Sequence, residues 1–189
     1  MKQIGIRVLW IGTLLLLCQG SLSAQNPHIA GLALGYSYVQ EQLPEGYPYQ
    51  PFLIMGHYAT YLSKSTRKGK LGIIVEPQFN PVRLGKGRST IEFGLNAGLT
   101  YGHDLGRSHL YGGISSGPHY IAVRTAMQAR GFIFSDNFFA GLRSQLGKKY
   151  RIDLQARFRH ISNAGLQSPN LGIDNFLFVI ALGRVIYPK

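Results

Sequence analysis

The residues best suited to covalent chemistry are a histidine, a serine and an acid near the end of the chain. His160 and Ser162 stand two apart in Arg159-His160-Ile161-Ser162-Asn163-Ala164-Gly165, and Asp174 follows at the start of the next apolar segment. A serine hydroxyl is a poor nucleophile until a neighbouring base takes its proton. A carboxylate on the far side of the imidazole orients the ring and supports the positive charge it gains. Such a set attacks acyl carbonyls. A His-x-Ser pair is common by chance, however, so its meaning depends on the element that holds it.

That element is a strand. Across 150–158, Tyr150, Ile152, Leu154, Ala156 and Phe158 alternate with Arg151, Asp153, Gln155 and Arg157, the period-two pattern of a β-strand with one apolar face. The same alternation runs through 32–38, 71–76, 91–101 and 176–182; its clearest form is Ile91, Phe93, Leu95, Ala97, Leu99 and Tyr101 against Glu92, Gly94, Asn96, Gly98 and Thr100. About eight strands are expected, near 29–39, 51–63, 70–80, 89–102, 108–117, 136–147, 149–160 and 174–187, with a long connection over 118–135. Pro44-Glu45-Gly46, Gly85-Lys86-Gly87, Asp104-Leu105-Gly106 and Gly147-Lys148-Lys149 supply turn chemistry between them.

Strands of about 9–11 residues with one apolar face suit a membrane-spanning barrel. A soluble sandwich fits less well. The polar faces carry charged residues and many glycines, which fill a narrow lumen, and Tyr101, Tyr150 and Tyr187 gather near strand ends, where an aromatic girdle sits. The fold expected is therefore all-β, an eight-stranded antiparallel transmembrane β-barrel.

Continuing the parity of 150–158 puts His160 and Ser162 on the lipid-facing wall. Residues i and i+2 of a strand lie on one face about 6–7 Å apart, close enough for side chains to lean together. Parity along 174–180 puts Asp174 on the same wall, one strand over. Three polar groups on an apolar surface cost free energy unless they satisfy one another, and a Ser–His–Asp set does so. With both termini on the periplasmic side, the loop 163–173 is extracellular and the trio sits at the outer leaflet.

Residues 1–24 have the layout of a cleaved signal peptide: Lys2 and Arg7, an apolar run over 8–17, then Ser21-Leu22-Ser23-Ala24. The run is shorter than the roughly 20 residues of a spanning helix. Leu17 before Cys18 argues against lipidation. The barrel is then 25–189, without cysteine and hence without disulfides. With 20 Lys+Arg against 8 Asp+Glu, less Lys2 and Arg7, its net charge is 18 − 8 = +10. So basic an exported surface suits anionic lipid or lipopolysaccharide phosphate rather than nucleic acid. Arg157 and Arg159 are candidates to hold such phosphates, although their parity points inward. His28, His57, His103, His109 and His119 have no metal-ligand spacing, and no metal or cofactor is implied.

The stretch His160-Ile161-Ser162-Asn163-Ala164-Gly165-Leu166 through Pro169-Asn170-Leu171-Gly172-Ile173-Asp174 resembles the signature of the lipid A 3-O-deacylase family, PagL-like acyloxyacyl hydrolases. Arg130-Gly131-Phe132-Ile133-Phe134-Ser135-Asp136 resembles that family more weakly. The resemblance implies an eight-stranded outer-membrane barrel that removes an ester-linked acyl chain from lipid A. It implies His160 as base, Ser162 as nucleophile and Asp174 at the acidic position. Asn170 and the Gly165 N–H become oxyanion donors, with Asn163 in support. The family's acid is Glu, so Asp174 is one methylene shorter and its reach must come from backbone placement or a water. The chain also ends Tyr187-Pro188-Lys189 rather than on an aromatic residue.

Two other readings stay open: a non-catalytic structural or adhesive barrel, which leaves the polar trio unexplained, and a lipid acyltransferase. A site on the outer wall also allows a homodimer, although no residue argues for one.

Overall fold

The computed structural model describes residues 26–62 and 69–187. The expected signal peptide and the terminal Pro188-Lys189 lie outside them. Eight strands run in order: β1 His28–Gln40, β2 Gln50–Tyr61, β3 Lys70–Arg83, β4 Ser89–Leu105, β5 Ser108–Ile121, β6 Gly131–Leu146, β7 Tyr150–Ser162 and β8 Ile173–Ile186. Each pairs antiparallel with the next, and β8 returns to β1, closing the barrel. Closure leaves no sheet edge, the condition for strands to cross a bilayer.

Side-chain parity holds along the strands except at a bulge in β1 between Ser37 and Val39. In β4 the odd residues Ile91, Phe93, Leu95, Leu99 and Tyr101 face outward, while Glu92, Asn96 and Thr100 are buried. Tyr150 and Tyr187 are exposed with Tyr101, at the end of the barrel opposite Ser162. The outer wall is thus an apolar band, and the lumen mixes buried polar and charged groups with apolar clusters such as Leu53, Met55, Leu177 and Val179.

The connection expected over 118–135 is only 122–130. Strand β5 runs on to Ile121, β6 begins at Gly131, and Pro118 pairs with Phe134 and His119 with Ile133. Sequence periodicity fails here for a physical reason. Ser116 and Asp136 interrupt the outward face with polar groups, while Ile133 and Phe139 put apolar groups inside.

Ion pairs plug the lumen. Arg157 meets Glu76 through two contacts, Nη1–Oε2 at 2.8 Å and Nη2–Oε1 at 3.1 Å. Arg143 donates to Asp153 from Nε and Nη2 at 2.9 and 2.7 Å. Arg159 Nη2 donates to Glu92 at 2.6 Å, and Glu92 also accepts from Tyr49 and Asn80. Arg157 and Arg159 are therefore not phosphate contacts at the rim. They are fully buried, because parity turns them inward and buried carboxylates balance their charge.

Candidate active site

One row of outward residues crosses four strands in direct register: Ser116 of β5, Asp136 of β6, His160 of β7 and Asp174 of β8. His160 and Asp174 are Cα partners, and Asp174 Oδ1 meets His160 Nδ1 at 2.6 Å. The shorter acid therefore needs neither a long side chain nor a bridging water, because strand pairing delivers its carboxylate beside the ring. The two side chains are 35% and 47% exposed, enough for a ligand in the lipid phase to touch them.

Ser162 closes β7 two residues on, on the same outward face and half-buried. Its hydroxyl has no hydrogen-bond partner among the described residues. With Asp174 on Nδ1, the ring's other nitrogen, Nε2, forms no hydrogen bond among the described residues.

Beyond Ser162 the chain turns at once. Ala164 and Gly165 have φ of 54° and 78°, and Leu166 N donates to Asn163 O at 3.1 Å, the pattern of a type I′ turn. A Cβ at Gly165 would meet nothing within 4 Å, so backbone conformation rather than space favours glycine there. Asn163 is buried, and its amide donates to Gln167 O at 2.8 Å, which ties the loop to itself. Asn170 Oδ1 accepts the Asn163 N–H at 2.7 Å. That bond fixes the side-chain orientation, because only the oxygen can accept, and it leaves the NH₂ free to donate elsewhere.

Two features escaped sequence reasoning. Gly172, at φ 82°, lies against the imidazole: a Cβ there would fall 2.3 Å from His160 Cε1 and 2.9 Å from Nε2. Any side chain at that position displaces the ring. The second is Asp136, whose carboxylate accepts from Ser116 Oγ at 2.5 Å on the side of His160 away from Asp174. The interval of 24 residues between Asp136 and His160 carries no periodic signal; only the register of two strands brings them together.

Below the polar row the wall is hollowed. A groove of about 590 Å³ runs across β4 to β7, with Ala97, Gly98, Leu99, Ile114, Phe138 and Phe158 along it and Ser116, Asp136 and His160 at its polar margin. The loop 163–172 is braced by 122–130 through Ala129 N to Pro169 O and Leu171 N to Met127 O, both 2.8 Å.

Buried ion pairs and apolar side chains fill the middle of the lumen, and the apolar outer wall is the surface that faces lipid. A closed antiparallel barrel with an apolar outer band is the fold of an outer-membrane protein. The model of the lipid A 3-O-deacylase (PagL) family matches residues 10–182, and the chain belongs to that family. It is accordingly a lipid A deacylase of the bacterial outer membrane, a carboxylic ester hydrolase. Among solved structures, the outer membrane enzyme PagL superposes with a TM-score of 0.59 at 16% identity, over 82% of this chain and 97% of that one. Neisserial surface protein A gives 0.48 at 14% identity, over 86% and 97%. No protein of curated function matches the sequence significantly.

Proposed function

We propose that the enzyme is a serine esterase that cleaves the acyl chain at the 3-O position of lipid A, with Ser162, His160 and Asp174 as its triad. The observation that carries this reading is the 2.6 Å contact of Asp174 with His160 Nδ1 on the lipid-facing wall, beside Ser162. Ser162 Oγ attacks the acyl carbonyl as His160 Nε2 takes its proton. Asp174 accepts the Nδ1–H bond and supports the imidazolium. The negative charge that develops on the carbonyl oxygen is met by the free Asn170 amide and the Gly165 N–H. His160 then returns the proton to the departing sugar oxygen. Water, activated by the same histidine, attacks the acyl-enzyme and releases a fatty acid. Asn163 supports the oxyanion donors by holding the loop. The apolar groove beside His160 takes the acyl chain, and Asp136 adds a second negative charge near the imidazolium.

The test is tandem mass spectrometry of lipid A from cells expressing the native protein or Ser162→Ala. The native protein should yield lipid A lighter by one acyl group at the 3-O position, and the variant should leave it intact. Equal acylation in both would sink the reading. An acyl chain that leaves one lipid and appears on another would establish transfer instead of hydrolysis.

A further inference from the structure

The opposite wall of the barrel carries a second row of outward polar residues in direct register: Gln50 of β2, Arg83 of β3 and Ser89 of β4. They head a groove of about 340 Å³ whose apolar part is formed by Tyr36, Phe52 and Pro81. The groove has a structural cause. Proline has no N–H to give to a ladder, and the β2–β3 pairing skips from Pro51↔Val82 to Ile54↔Phe79, past Phe52 and Pro81. The β2–β3 ladder has no paired residues between those two rungs.

The polar groups at the head of the groove are donors. Arg83 is exposed and forms no ion pair with the described residues. Gln50 Nε2 donates to Tyr36 Oη at 3.2 Å, which leaves the tyrosine proton free to point outward. Ser89 adds a hydroxyl, and no carboxylate lines the groove. Lys86 and Arg88 sit on the adjoining β3–β4 turn, and both are exposed. Arg83 stands at the strand end that shares the Ser162 side of the barrel, so the head of the groove is at outer-leaflet level. The occupant must therefore be apolar below and anionic above, and a guanidinium with flanking hydroxyls suits a phosphate.

We infer that this groove is a non-catalytic binding site for one phosphorylated outer-leaflet lipid. The headgroup phosphate lies on Arg83, Ser89 and Tyr36, and an acyl chain lies along Phe52 and Pro81. The site lies on β1–β4, away from His160 on β7 and Asp174 on β8, and does not depend on the chemistry proposed there.

Native mass spectrometry can count lipids on the folded barrel. Ser162→Ala protein in detergent micelles, which turns nothing over, is titrated with bis-phosphorylated lipid A beside the same protein carrying Arg83→Glu. The Arg83→Glu protein should carry one adduct fewer, with affinity for the lost lipid reduced at least about tenfold. Arg83→Gln should lie between the two, and heat-modifiable gel mobility should show all three folded. Dephosphorylated lipid A should fail to fill the site. Equal adduct counts with and without the Arg83→Glu change overturn the proposal, as does equal filling by the dephosphorylated lipid. A failure of the esterase reading would appear differently: the native protein would release no acyl chain, while the one-adduct difference at position 83 persisted.

Discussion

Three described histidines sit beside acids, His57, His109 and His160, and the contrast is sharpest between the first, in the lumen, and the last, on the outer wall. In the lumen, His57 Nδ1 lies 3.2 Å from Glu76 and Nε2 lies 3.7 Å from Asp153. On the outer wall, His160 Nδ1 lies 2.6 Å from Asp174, while Nε2 makes no hydrogen bond among the described residues. The acids beside His57 are shared: Arg157 holds Glu76 and Arg143 holds Asp153. Charge there is consumed by neutralising other buried charge, and the ring is only 3% exposed. Asp174 pairs with no arginine among the described residues, and its one ion-pair partner there is the imidazole. The same residue types are locked into shared ion pairs inside and stand as one acid to one ring outside. What separates them is the number of cations competing for the carboxylate and the access of a ligand.

That contrast can be broken from either side. The largest effect should come from Ser162→Ala, with lipid A deacylation falling by about 10⁴–10⁶-fold and gel mobility on heating unchanged. Asp174→Asn should cost about 10³–10⁴-fold, since an amide cannot support the imidazolium, while Asp174→Glu should retain far more; equal rates for the two would remove Asp174 from the mechanism. Glu76→Gln should do the reverse of both. It leaves Arg157 buried without its counter-charge, so stability should drop by about 3–5 kcal/mol, measured by urea unfolding in micelles, with little change in the rate of the folded fraction. Gly172→Ala should slow deacylation by about 10²-fold, because the ring must move on the order of an ångström to clear the methyl. A normal rate would mean that the ring is held more loosely than its contacts imply. The smallest effect belongs to Asp136→Asn, a loss of roughly two- to tenfold, as expected for a charge that acts through space.

Much of the fold was legible because parity is a local property. Each of the eight expected strands overlaps an observed one, and the outward set of β7 follows from alternation alone. Parity also turned Arg157 and Arg159 inward, against the idea that they bind phosphate, and the structure buries both in ion pairs. The boundaries of β5 and β6 were not legible. There the polar residues Ser116 and Asp136 stand on the apolar face, and the alternation that marks a strand is erased where polar groups intrude on it.

His160, Ser162 and their common wall are thus properties of the sequence: neighbours two apart on a strand share a face whatever else the chain does. The sequence also supplied the outward parity of Asp174. Its 2.6 Å approach to the ring was decided only by the tertiary structure, because register between strands depends on turns and on every rung of the ladder. The same holds for Gly172 against the imidazole, for Asp136 on its other side, and for the Arg83 groove at the proline-broken seam. Those contacts lie across strands or at the end of a loop, where spacing along the chain carries no distance information.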